Sequence, residues 1–251
     1  MPGSDTLLPN FFHKSQNGFQ VIGVDDPETM AVMQSLLPDP DCAFKEEHMV
    51  KPGSRTHAGF VTLHDKIYFL KRYNCRNWQY RFFNALRRSR ALRAWETTWA
   101  LWQNNVPVPR PLLFIEERQA RLLGRSYVLM DSLQSAERLV EAWANSDAQR
   151  RKELLGLIAS TLGAMHASGG VHGDLKWSNL LVEDSHEVKL YLVDLDGSRM
   201  LKAFRRSAAL KDLRRFLKDL SLRDESGEYE DFFLRRWEKS LDESLSQRSV
   251  K

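Results

Sequence analysis

The side chains with the clearest chemical capacity lie between residues 171 and 197. They read Val171-His172-Gly173-Asp174-Leu175-Lys176-Trp177-Ser178-Asn179 and, further on, Tyr191-Leu192-Val193-Asp194-Leu195-Asp196-Gly197. A loop carrying His172, Asp174 and Asn179 leads into one strand, and a second strand ends at Asp194. Phosphoryl transfer asks a protein for position and charge neutralisation more than for covalent chemistry. A carboxylate such as Asp174 can orient an attacking hydroxyl and accept its proton. Lys176, two residues later, can meet the transferring phosphoryl group. Asn179 and Asp194 offer oxygen donors of the kind that hold Mg2+ on a triphosphate. One His-x-Asp would be weak evidence. Two motifs separated by a strand-turn-strand pattern are strong evidence, and the chemistry they predict is Mg2+-assisted transfer of phosphate from ATP to an alcohol.

Neighbouring residues read differently. His172 is expected to organise the loop rather than act as a base, and His166, at a helix end, to pack or hydrogen-bond. Asp196 fits a metal or acceptor contact as well as a turn cap before Gly197. Trp177, inside the loop, is open to core packing or to stacking on a sugar; the other tryptophans read mostly as core.

Positioning elements can be read from periodicity. Residues 1–40 look like an N-terminal extension with a helix near Glu28–Leu37, ended by Pro38. From Ala43 to Tyr73 the pattern is strand-like, with His64-Asp65 as a hairpin turn between Gly59–Leu63 and Lys66–Tyr73. A helix is expected over about 77–104, stopped by Val106-Pro107-Val108-Pro109. Leu112–Ile115 and Ser126–Met130 read as a further antiparallel pair. After Asp131 the character turns helical. Leu154, Leu155, Ile158, Leu162 and Met165 mark a helix over 147–167, the strand pair Leu180–Glu183 and Val188–Val193 brackets the turn, and helices at about 200–221 and 228–244 follow.

A nucleotide site of this type also needs a lysine on a strand of the first part and a glutamate on the next helix. Lys71, sharing a strand face with Phe69 and Ile67, suits the first role. Glu96 is the only acid between Asp65 and Glu116 and suits the second, although it could also serve Arg93 within the helix. Lys51–Thr56, including Ser54 and Arg55, is a weak match to a phosphate cover, having one glycine. Met130 is assigned to the nucleotide as well. The expected architecture is α+β and two-lobed, of protein-kinase-like fold. It has an antiparallel small lobe over 41–131 with one long helix, and a reduced, mainly helical lobe over 132–251.

Composition narrows the class. With 42% hydrophobic and 28% charged residues the chain is an ordinary globular one. No apolar run approaches the roughly 18 residues of a membrane span, and Met1–Asn10 lacks a secretory signal, so a cytoplasmic protein is expected. Cys42 and Cys75 read as free thiols. Positive charge is clustered: eight basic residues and no acid from Lys71 to Arg93, and eight from Arg199 to Lys218 against Asp212 alone. Such blocks are either solvated helix faces or a surface for an anionic partner.

His172-Gly173-Asp174-Leu175-Lys176-Trp177-Ser178-Asn179-Leu180-Leu181-Val182, Leu192-Val193-Asp194-Leu195-Asp196-Gly197 and Lys211-Asp212-Leu213-Arg214-Arg215-Phe216 resemble the lipopolysaccharide core kinases, the Kdo/heptose kinase (WaaP-type) family, over about residues 45–220. The resemblance implies ATP- and Mg2+-dependent phosphorylation of a heptose or Kdo hydroxyl at the cytoplasmic face of the inner membrane. It implies Asp174 as base, Asn179 and Asp194 as metal ligands, and Lys71 with Glu96 as the nucleotide-holding pair. Gly173 stands where protein kinases carry an arginine, Leu195-Asp196 replaces Phe-Gly, and the short tail has no Ala-Pro-Glu, so protein substrates are not expected. The expected partners are the glycolipid and, through the basic helices, the anionic inner leaflet; nucleic acid is not expected. Rival readings are a small-molecule kinase of the aminoglycoside or choline type, a RIO-like kinase and an inactive nucleotide-binding scaffold.

Overall fold

The computed structural model describes residues 10–45, 48–52, 56–74, 88–119, 122–184, 187–224 and 226–249. The chain divides into two compact units: Met1–Glu96 with Arg110–Leu133, and Thr97–Pro109 with Gln134–Lys251.

In the first unit, strands β1 (Phe11–Gln16), β2 (Phe19–Val24), β3 (Met49–Pro52), β4 (Thr56–Leu63), β5 (Lys66–Tyr73), β6 (Pro111–Gln119) and β7 (Leu122–Asp131) form a sheet. Their order is β1-β2-β6-β7-β5-β4-β3, with every neighbouring pair antiparallel. Two hairpins turn on residue pairs with positive φ, Asn17-Gly18 (52° and 79°) and His64-Asp65 (50° and 60°). This is the backbone of a type I′ turn, whose twist matches that of paired strands. The extension expected over residues 1–40 is therefore corrected: β1 and β2 belong to the sheet. Phe19 and Val21, two residues apart on one face, are buried in the sheet's core, which gives β2 an apolar face to bury.

Helix α1 (Pro27–Leu36) begins where Asp26 accepts a hydrogen bond from Thr29 N (2.7 Å), with Pro27 in the first turn. Its Val32, Met33 and Leu36 share a core with Tyr68, Leu70, Tyr127 and Leu129 of the sheet. On the other sheet face, Ile22, Phe114, Val128, Lys71 and Ala58 stand in one cross-strand row. Phe114 meets Trp95 of helix α2 (Arg90–Gln103) at 6.4 Å between ring centroids. Ser89 caps this helix by accepting from Leu92 N (3.1 Å). Residues 75–87, the first part of the helix expected over 77–104, lie outside the described residues.

The second unit is mainly helical: α3 (Leu139–Ala144), α4 (Ala148–Ala167), α5 (Arg206–Ser221) and α6 (Glu228–Ser249). Short strands β8 (Glu137–Arg138), β10 (Leu180–Asp184) and β11 (Val188–Leu192) form one small sheet, and β9 (Gly170–Val171) pairs with β12 (Arg199–Met200). Asp147 caps α4 by accepting from Arg150 N (2.7 Å). Leu154, Leu155, Ile158, Leu162 and Met165 all enter the core, beside Phe216, Phe233 and Trp237. Each such burial is worth about 1.5–3 kcal/mol, so the long helix is held chiefly by this face. One expectation is corrected: the helix placed from Met200 starts at Arg206. Arg199 and Met200 instead pair with Val171 and Gly170, and Leu201 N continues to Gly169 O (2.8 Å).

Candidate active site

In the second unit the loop from β9 into β10 is pinned at several points before any of its polar groups faces solvent. The His172 imidazole is fully buried and its Nε2–H donates to Val193 O (3.1 Å). That choice leaves Nδ1 as an acceptor toward Asp174 N (3.4 Å). Burial holds this imidazole below its ordinary pKa despite the neighbouring carboxylates, so it remains neutral. His172 thus organises the loop, as expected.

The loop's main anchor is a residue of α5. The buried Asp212 carboxylate accepts hydrogen bonds from His172 N (2.7 Å), Gly173 N (2.8 Å) and His166 Nε2 (3.4 Å). His166 Nδ1 in turn accepts from Trp237 Nε1 (3.0 Å), which sets its tautomer. Burial pushes the Asp212 carboxyl up, but these donors outweigh it and hold the group below the usual carboxylate range. Two turns along the same helix, Asp219 accepts from Trp177 N (2.9 Å). Gly173 between them has φ +82°, and a Cβ there would sit 2.3 Å from Gly197 O. The loop and the segment after Asp194 approach so closely that only glycine fits.

Within this frame stand the predicted residues. The Asp174 carboxylate has Lys176 Nζ at 3.0 Å from one oxygen and Arg215 at 3.8 Å from the other. Asn179 is buried, and its Nδ2 donates to Asp174 O (2.9 Å), which turns its Oδ1 away from that carbonyl. Val193 N donates to Asn179 O (3.0 Å), tying the loop to the residue before Asp194. Asp194 itself has a left-handed backbone, φ 59° and ψ 53°, followed by a 3-10 turn over Leu195–Gly197 that holds Asp196. An L-residue pays roughly 1–2 kcal/mol for this conformation, and such outliers gather at functional sites. Asp174, Lys176, Asn179 and Asp194 are thus carried by two loops bonded to each other.

In the first unit, Lys71 is 7% exposed, on the sheet face of Ala58 and Val128. Its Nζ lies 5.5 Å from the Tyr73 ring centroid. Met130 stands opposite Phe69, next along the same face. Glu96 pairs with Arg88 (3.0 Å) rather than with Lys71, the partner expected for it. Arg88, two residues before the first residue of α2, reaches the one carboxylate of that helix. Ser54 and Arg55 lie outside the described residues.

Trp177 corrects the sugar-stacking alternative. It is 1% exposed, stacked on Phe216 and edge-on to Trp143. Three residues to which the sequence assigns no role contribute here: Asp212 and Arg215, both within the Lys211–Phe216 motif, and Asp219. Asp212 was visible as the lone acid of a basic block, and the three share one helical face at spacings of three and four. Of the two basic blocks, every cation from Arg199 to Lys218 is exposed. In the other, Lys71 is buried and Arg72 is paired with Asp41 (2.8 Å).

The loop pair has the donor set for a hard cation. Among the described residues no cluster of three or more His, Cys, Asp or Glu could enclose a metal. Asn179 and Asp194 offer amide and carboxylate oxygens, hard donors that suit an ion completing its shell with water and phosphate oxygens, as magnesium does. They do not suit a closed structural zinc site.

The family model described as "Lipopolysaccharide kinase (Kdo/WaaP) family" matches residues 43–239. A solved structure of WaaP in complex with acyl carrier protein is similar at a TM-score of 0.64 and 16% identity, over 87% of this chain and 91% of that one. The Rio2 kinase-ADP/Mg2+-phosphoaspartate complex from Chaetomium thermophilum is similar at a TM-score of 0.55 and 12% identity, over 96% and 81%. No curated protein sequence matches. At these identities the two structures establish the protein-kinase-like fold.

Proposed function

The chain belongs to the lipopolysaccharide kinase (Kdo/WaaP) family, and on that premise we propose that it transfers the terminal phosphate of ATP to a heptose or Kdo hydroxyl of the lipopolysaccharide inner core. The observation that carries this reading is the Asp174 carboxylate, 3.0 Å from Lys176, in a loop pinned to the strand end before Asp194. Asp174 orients the acceptor hydroxyl and takes its proton as the new O–P bond forms and the bond to ADP breaks. Lys176 neutralises charge beside the transferring group. Lys71 and Met130 are assigned to the nucleotide, with Ser54, Arg55 and Glu96 assigned to the same task. Asn179 and Asp194 hold Mg2+, which supplies charge neutralisation on the phosphates when bound. Gly173 leaves no arginine to read a phosphorylated activation segment, which supports a non-protein acceptor.

No described helix is long and apolar enough to cross a membrane. The exposed cations from Arg199 to Lys218 would instead favour docking on an anionic leaflet at the cytoplasmic face, each worth about 1 kcal/mol near the surface. Flotation with vesicles tests this: binding must weaken with salt and vanish on neutral lipid. For the reaction itself, labelled ATP is offered with dephosphorylated lipopolysaccharide core, an aminoglycoside, choline and ribosomal particles. Label is expected on the core saccharide alone and only with Mg2+. Label confined to a non-saccharide acceptor would contradict the reading.

A further inference from the structure

Helix α5 lies along the catalytic loop as a ruler. Asp212 meets His172 and Gly173, Arg215 meets Asp174, and Asp219 meets Trp177, so one helical face is matched to the loop in order. Two of these three contacts are tight hydrogen bonds to main-chain N–H groups, at 2.7–2.9 Å. Arg215 differs. Its side chain is 55% exposed and approaches Asp174 at 3.8 Å through one terminal nitrogen. A guanidinium has five N–H donors in a fixed fork, and this contact engages one terminal nitrogen of a side chain more than half exposed beside the carboxylate that must receive the acceptor.

Resting on the reading of Asp174 as the base, we propose that Arg215 recognises the acceptor: it binds a carboxylate carried by the saccharide near the hydroxyl that is phosphorylated. A planar guanidinium and a carboxylate pair in a bidentate manner that an ammonium cannot reproduce. The flanking anchors Asp212 and Asp219 fix the helix against the loop, so Arg215 is presented to Asp174 from a rigid element. Lys176, already 3.0 Å from Asp174, is committed to the reacting end. Lys211, Arg214 and Lys218, exposed on the same helix, add long-range attraction for an anionic acceptor. A purely structural arginine at this position would be expected to close on its partner as Asp212 and Asp219 do, at 2.7–2.9 Å.

The test is steady-state kinetics on the full chain with a Kdo-containing core saccharide, offered as the free carboxylate and as its methyl ester. Wild type is expected to prefer the acid by about tenfold in kcat/KM, the size of one charge-assisted contact. Arg215→Gln should raise KM for the acid about tenfold and bring the acid-to-ester ratio near one. Arg215→Lys should keep part of the preference. A preference that survives in Arg215→Gln would overturn the proposal. So would an equal fall in kcat for both acceptors and for acceptor-free ATP hydrolysis, which would mark Arg215 as a support of the loop or of the phosphoryl group. Wild type that phosphorylates neither saccharide would overturn the functional reading itself, and the acceptor role with it.

Discussion

The carboxylate of Asp212 lies 2.7 Å from the main-chain nitrogen of His172, forty residues away in sequence and buried with it in the second unit. This single bond joins the helix after the metal-loop segment to the start of the catalytic loop. With the accompanying bond from Gly173 N (2.8 Å), it fixes the backbone from which Asp174 projects.

Asp212 should therefore matter to both stability and activity without touching a substrate. Asp212→Ala leaves two buried N–H groups and His166 without their acceptor, and a loss of about 3–5 kcal/mol is expected in denaturant unfolding. Asp212→Asn, which retains one acceptor, should lose about half as much. Both should lower kcat more than the KM for ATP. An unchanged unfolding midpoint in Asp212→Ala would show that the loop is anchored elsewhere.

His172 predicts a pH effect. Its pKa is lowered in the folded chain by burial, from an ordinary value of 6.5. Below about pH 6.5 the unfolded chain binds a proton that the folded chain refuses, so stability falls as pH drops. The stabilisation is complete above that pH, and the steepest loss is about 1.4 kcal/mol per pH unit for one proton. Unfolding free energies between pH 7 and 5 should decline less in His172→Gln than in wild type. Parallel declines would show that the imidazole titrates normally.

Gly173 is required by space as well as by conformation. Gly173→Ala meets Gly197 O at 2.3 Å and an unfavourable φ of +82°, so a loss above about 1 kcal/mol is expected. Because the clash lies between the two site loops, phosphoryl transfer should fall along with the melting temperature. A variant as stable and active as wild type would mean that the loops part without cost.

Trp177 belongs to the core. Trp177→Ala should cost about 3–5 kcal/mol. Trp177→Phe, which keeps an aromatic ring against Phe216 and Trp143, should leave the acceptor KM unchanged. A raised acceptor KM with normal stability would restore a sugar-stacking role.

How much of this could be read from the chain depends on distance along it. The loop from His172 to Asn179 and the strand end at Asp194 were legible because their chemistry demands fixed residue types at fixed, short spacing. The face holding Lys71 followed from period-two alternation on β5. Asp212, Arg215 and Asp219 carry no assigned role in the sequence, because their partners lie about forty residues away; Asp212 stands out only as the one acid of its basic block, which does not say what it will meet. Asn17-Gly18 carried a hairpin signal, with Phe19, Val21 and Gly23 alternating after it; the polar residues of β1 obscured it. The Glu96 pairing went to Arg88 because charge alone does not say which of several nearby cations a carboxylate will meet.

The central claim is tested most directly by phosphoryl transfer from labelled ATP to dephosphorylated lipopolysaccharide core in Asp174→Asn. The substitution keeps the size of the side chain, and Asp174 is partly exposed, so folding and ATP binding should be retained. Loss of the base is expected to lower kcat by about 100-fold or more. A variant that keeps more than about a tenth of wild-type kcat would contradict the assignment of Asp174 as the residue that receives the acceptor's proton.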